Sequence, residues 1–201
     1  IAFLDHDDLW HQQKLEQQLQ ALQAAPQAAM AYSWIDMINE SGQPIRRIHP
    51  THSDKPLYPQ LLARNFLMTA SNPLMRRSSL VAIGGFDESI YGADDWDVFI
   101  RLAERSDLAL SPHYHIQYRV VEGSGSANVA KIEQGCLQVI EKAFRSAPAK
   151  FKPIQKVALG KVYQFLCFRT LEPTFRPLNW HIGYLERKNE DRRNFLSPNY
   201  Q

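Results

Sequence analysis

The sequence predicts an α/β fold, and three observations carry that prediction. An apolar run, Ile1-Ala2-Phe3-Leu4, ends abruptly in the acidic turn Asp5-His6-Asp7-Asp8. That is how a buried strand of an open α/β sheet meets its ligand-bearing loop. Met30 to Ile38 is rich in β-formers, and Trp96 to Arg105 has a helical period with Trp96, Phe99, Ile100 and Ala103 on one face.

Taken in order, Ile1 to Leu4 is expected to be a short buried strand. Unpaired backbone groups in such a strand need neighbours, so it is expected to belong to the middle of a sheet whose earlier strands precede it. The alternative is a processed mature terminus. A helix is expected from Leu9 to about Ala25, with Leu15, Leu19 and Leu22 as its apolar stripe, Asp8 as N-cap and Pro26 beyond its end. The Met30 to Ile38 strand turns at Asn39-Glu40-Ser41-Gly42 into a second short strand. Residues 48 to 58 read as a polar surface loop. Tyr58 to Phe66 suits a short helix, Leu74 to Arg76 a strand, and Ser78 to Ile83 a helical turn closed by Gly84-Gly85.

Along the Trp96 helix, Asp97 and Arg101 form an i,i+4 pair expected on the face opposite the apolar stripe. Leu108 to Arg119 reads as strand and Gly123-Ser124-Gly125-Ser126 as a flexible loop. Val129 to Phe144 and Lys156 to Phe168 read as two further helices, and the Pro-rich tail from Glu172 shows no period.

With 201 residues and a formal charge of +2, the chain suits one globular domain and offers no basic stripe for nucleic acid. Its two cysteines, Cys136 and Cys167, are too few for a multi-cysteine zinc site or a disulfide framework, which points to a reducing compartment. No apolar stretch approaches a membrane span.

Asp5-His6-Asp7 puts two carboxylates on a tight turn. Hard divalent cations take oxygen ligands and usually share them with substrate phosphates, so one or two carboxylates plus a diphosphate would complete a shell. An EF-hand is denied by Leu9 and Trp10, and a phosphatase-type D-x-D-x-T is denied its hydroxyl by Leu9. His6 and His11 are expected to be a loop side chain and a first-turn helix residue.

Ile1 to Leu19, IAFLDHDDLWHQQKLEQQL, resembles the central segment of family 2 glycosyltransferases of the GT-A fold. The likeness continues in order through Asn65-Phe66, Ser71 and Met75-Arg76-Arg77. It goes on through Gly84-Gly85-Phe86-Asp87-Glu88, Asp94-Asp95-Trp96-Asp97 with Ile100-Arg101-Leu102, and Tyr118-Arg119 with Gly123-Ser124 and Ser126. It covers residues 1 to about 145. The resemblance implies a GT-A-like, Rossmann-related mixed sheet with flanking helices, lacking its N-terminal nucleotide-binding strands. Residues 1–149 would be the C-terminal part of that domain, and 150–201 a helical extension and polar tail.

The same resemblance implies a chemistry. Asp7 would be the direct ligand of Mn2+ or Mg2+, with Asp5 on the ribose or a metal-bound water. Asp95 would be the general base and Asp94 its positioning neighbour, although relatives often carry Glu in the place of Asp94. Gly84 and Gly85 would let the backbone pass close to the donor, with a helix C-cap as the alternative. Arg119 would face the diphosphate. Trp96 is expected to pack in the core, with an acceptor platform as the alternative. Where relatives carry His, this chain has Val121.

The implied activity is transfer of a sugar from a nucleotide-diphosphate sugar to a glycan or lipid-linked acceptor, inverting and metal-dependent. Such work belongs to polysaccharide biosynthesis in the cytoplasm, at the inner face of the membrane, with peripheral association rather than a span. The segment alone is expected to be inactive. A non-catalytic module of the same fold and a metal-dependent phosphohydrolase are the competing readings.

Overall fold

The computed structural model describes residues 1–49, 56–121 and 128–171. Residues Ile1–Leu166 form one compact unit; of the second, Cys167–Gln201, the described residues 167–171 are helical. The loop expected at Gly123–Ser126, most of the 48–58 loop and the tail from Glu172 lie outside the described residues.

Among the described residues, five strands make one mixed sheet. They are β1 (Leu9–Trp10), β2 (Ala28–Ile38), β3 (Pro44–Ile48), β4 (Leu74–Met75) and β5 (Asp107–Arg119). Their order is β1-β5-β2-β3, with β4 also on β2. The long β2–β5 pair is parallel and every other pair antiparallel. The helices are α1 (Lys14–Ala24), α2 (Tyr58–Ala63), α3 (Arg77–Ala82), α4 (Asp94–Arg105), α5 (Val129–Ser146) and α6 (Ile154–Leu171).

The main core gathers Met30 and Tyr32 of β2 with Leu61, Leu62, Trp96, Phe99, Val139, Ile140 and Leu166. A smaller cluster of Leu22, Ala28, Ala31 and Ala109 packs α1 on the sheet, where the alanines let the helix lie close. The mixed α/β architecture with flanking helices is as the sequence predicts.

Several local expectations are corrected. Ile1–Leu4 is no full strand: Ala2 makes a single antiparallel bridge to Leu74, and Ile1 and Leu4 are exposed. Leu9 and Trp10 extend as β1 against Gln117 and Ile116 of β5, so the helix begins at Lys14 rather than Leu9. Asp8 therefore caps nothing, and His11 precedes the helix. On α1 the buried positions are Lys14, Gln18 and Leu22, whereas Leu15 and Leu19 face solvent. Asp97 is buried, not solvent-facing, held by Arg101 at 2.6 Å and Lys142 at 3.0 Å.

Candidate active site

The acidic turn is built from both sides. Asp8 N–H donates to Asp5 O at 3.2 Å, which closes the turn. Thr69 Oγ1 lies 2.8 Å from Asp5 Oδ2 and 3.2 Å from Asp8 Oδ2, and Asp5 N–H donates to Ser71 Oγ at 2.9 Å. From the opposite direction, the Arg119 main-chain N–H donates to Asp8 Oδ1 at 3.0 Å and its Nε to the Asp7 carbonyl at 2.9 Å. Asp8 is thus the buried root of the turn. Burial raises its pKa, while the Ser71 and Arg119 contacts pull it back. Asp5 is exposed and Asp7 half-buried.

Arg119 also donates to the carbonyls of Asn39 at 3.1 Å and Glu40 at 2.9 Å. Its guanidinium ties the β2–β3 turn to Asp7, which makes it a brace on the acidic turn.

Asp94 and Asp95 open α4, where the helix N-terminus favours negative charge. Asp95 Oδ1 accepts the Trp96 N–H at 2.6 Å, and Asn65 Nδ2 lies 3.4 and 3.3 Å from its two oxygens. Burial, then the Asp94 charge, push the Asp95 pKa up to about 7, and the charge of Asp5 adds to this. Asp5 and Asp95 therefore interact electrostatically, although they stand about ninety positions apart in the chain. Trp96 is buried and its Nε1 donates to the Leu61 carbonyl at 2.7 Å, a packing position.

The segment 65–72 joins the two groups. Asn65 serves Asp95, while Thr69 and Ser71 serve the acidic turn. Asn72 anchors the segment: its Oδ1 accepts from Ser33 N–H at 2.9 Å, and its Nδ2 donates to Ser33 O at 3.2 Å and Leu67 O at 3.3 Å. This side chain continues the ladder on β2 where β4 has ended. Sequence reasoning noticed Asn65 and Ser71 only within a resemblance and missed Thr69 and Asn72. Met68-Thr69-Ala70-Ser71-Asn72 carries no periodic signal.

Behind the turn, Lys14 is buried beneath α1. Its Nζ donates to Gln18 Oε1 at 2.9 Å and sits 4.1 Å over the Trp10 ring, and Gln18 in turn donates to Asn72 O at 2.8 Å.

Gly84 and Gly85 have positive φ, 82° and 73°, and close α3. Gly85 N–H bonds Leu80 O at 3.0 Å and Gly84 N–H bonds Val81 O at 2.9 Å, the paired bonds of a Schellman motif. Arg101 Nη2 then holds the Gly85 carbonyl at 2.7 Å. A side chain at either glycine would meet open space.

Among the described residues no three His, Cys, Asp or Glu side chains converge as a metal cage. The oxygen donors of Asp5 and Asp7 on an accessible turn fit a hard cation that draws its remaining ligands from substrate phosphates and water.

The family described as "Glycosyltransferase like family 2" matches residues 1–170. No curated protein matches the chain. Among solved structures, S. aureus TarS in complex with UDP-GlcNAc is similar in fold, with a TM-score of 0.61 at 13% identity. The likeness covers 87% of this chain and 52% of that one, so the chain spans about half the length of the structure it matches.

Proposed function

This chain belongs to the family 2-like glycosyltransferases, and we propose that it contributes the catalytic half of a site that moves a sugar from a nucleotide diphosphate to an acceptor hydroxyl. The observation that carries this reading is Asp95 at the head of α4, held by Asn65 and the Trp96 N–H, where burial and the charges of Asp94 and Asp5 push its pKa up to about 7. A base poised near neutral pH can take a proton without being permanently protonated or too weak.

In the proposed reaction, Asp95 accepts the proton of the acceptor hydroxyl as that oxygen bonds to the anomeric carbon. The bond from that carbon to the diphosphate oxygen breaks, and the diphosphate leaves with its electron pair. Attack opposite the leaving group inverts the anomeric centre, as in the base half of inverting glycoside hydrolysis. Asp94 keeps the Asp95 proton affinity high. Asp7 and Asp5 take the donor side and would hold Mg2+ or Mn2+, which when bound neutralises charge on the diphosphate. Arg119 fixes Asp7, and its guanidinium borders the diphosphate. Gly84 and Gly85 hold the α3 end against α4, beside the donor path.

The donor class is supported by the UDP-GlcNAc in the TarS structure. Among the described residues no helix is long and apolar enough to cross a membrane. The proposed acceptor is a glycan or lipid-linked sugar at the cytoplasmic membrane face.

The test uses the full-length protein with UDP- and GDP-sugars and Mn2+, following nucleotide release. Asp95→Asn is expected to abolish transfer with nucleotide binding retained. Asp7→Ala is expected to weaken metal-dependent donor binding. Wild-type turnover by Asp95→Asn would refute the base assignment.

A further inference from the structure

We infer that Asn65 is a positioning residue for the reaction, aiming the Asp95 carboxylate, and that the backbone turn at Met68 fixes the direction in which it aims. The inference rests on the base role proposed for Asp95. Asn65 lies two residues beyond α2, half-buried, and among the described residues it is the only side chain bonded to Asp95. Its Nδ2 is nearly equidistant from the two oxygens, at 3.4 and 3.3 Å. A donor so placed restrains rotation of the carboxylate about its own axis.

The amide cannot turn over. Asn65 Oδ1 accepts the Met68 N–H at 3.1 Å. A flipped amide would set its oxygen against the Asp95 carboxylate and its NH2 against the Met68 N–H, two repulsions in place of two bonds. Met68 is in turn the only non-glycine with positive φ among the described residues, at 68°. Thr69 N–H donates to Leu67 O at 2.9 Å across it, so Met68 is the centre of a γ-turn in its strained form. Such strain persists only where the surroundings over-determine the backbone. Here Asn72 Nδ2 holds Leu67 O at 3.3 Å, and Thr69 Oγ1 is anchored on Asp5 at 2.8 Å. One strained turn therefore sets Asn65 toward the base on one side and Thr69 toward the donor acids on the other. It fixes how the proton acceptor is oriented relative to the donor site.

Two variants separate aiming from mere folding of the loop. Asn65→Asp keeps an oxygen for the Met68 N–H but replaces the donor to Asp95 with a carboxylate that also raises the Asp95 pKa, so kcat is read on the alkaline plateau where Asp95 is ionised in both proteins. Asn65→Leu removes both contacts. In the full-length protein both are expected to lower kcat about ten- to a hundredfold, the scale of a misplaced catalytic group. In Asn65→Asp, which keeps the Met68 contact, the donor KM should move by less than about threefold and unfolding should stay cooperative, whereas Asn65→Leu, which frees the turn that also carries Thr69, is expected to raise the donor KM as well. Wild-type kcat in Asn65→Asp would overturn the inference, leaving Asn65 only its acceptor role in the loop. So would a loss that appears wholly in the donor KM. Asp95→Asn is measured alongside. If it turns over normally, the base reading itself has failed; if it is inactive while Asn65→Asp is active, only the role of Asn65 has failed.

Discussion

Asp95 and Asp5 share one electrostatic field: burial first, then Asp94, then the charge of Asp5 on the acidic turn push Asp95 to about 7. A base must be deprotonated to act. Turnover is therefore expected to fall about tenfold per pH unit below a midpoint near 7. Asp94→Asn removes a charge that raises the Asp95 pKa, so it should move that midpoint to lower pH. A pH–rate profile of kcat checks both, and a midpoint unmoved by Asp94→Asn would separate that residue from the base.

The same shift has a cost in stability. The folded protein keeps on Asp95 a proton that the unfolded chain releases from about 3.8, so stability is lost as pH rises from there through about 7. Asp95→Asn is expected to melt higher than wild type at pH 8, and that advantage should shrink as pH falls toward 4. Thermal melts across this range decide it. An advantage independent of pH would trace to something other than ionisation.

Lys14 works in the opposite sense. Burial lowers its pKa from 10.5 to about 7, with Gln18 and the Trp10 ring as its partners. Between about 7 and 10.5 the folded state has released a proton that the unfolded chain still holds, so stability from this residue rises with pH over that window. Lys14→Met keeps the apolar stem and removes the charge. Urea denaturation at pH 7 and pH 10 should show a smaller gain in stability for the variant than for wild type. An equal gain would mean that Lys14 does not titrate in this window.

Lys14 also shows where the sequence was hard to read. α4 was legible because Trp96, Phe99, Ile100 and Ala103 form an apolar stripe and are buried together. In α1 the apolar Leu15 and Leu19 suggested the inner face, yet Lys14 and Gln18 are inside because Asn72 O and the Trp10 ring give them partners from distant segments. The helix start was misplaced for a related reason. Leu9 and Trp10 join β5 more than a hundred positions away, and no local window contains that pairing. Asp5, Asp7 and Asp95 stood out as paired acids. Thr69 and Asn65 did not, since a hydrogen bond from a loop side chain to a carboxylate leaves no period and no composition bias. Tertiary partners decide such residues.

The acids of α4 depend on a close approach behind them. Gly135, in the middle of α5, lies against the loop that leads into Asp94: a Cβ there would fall inside contact distance of the Tyr91 carbonyl oxygen and 3.1 Å from its carbon. Backbone atoms cannot swing aside as a side-chain tip can, so Gly135→Ala must part α5 from the Tyr91–Ala93 segment. The expected loss is about 1–3 kcal/mol of stability, the usual range for overpacking, together with reduced kcat as Asp95 shifts. Gly160 is the matched control, since it is also helical, in α6, and an added Cβ meets nothing within 4 Å. Gly160→Ala should gain about 0.5–1 kcal/mol from the lower conformational freedom of the unfolded chain. Denaturant melts of the pair distinguish a specific clash from a general response to helix alanines. If Gly135→Ala is as stable as wild type, the loop carrying the candidate base is not held by α5, and its position must be set from the Asn65 side alone.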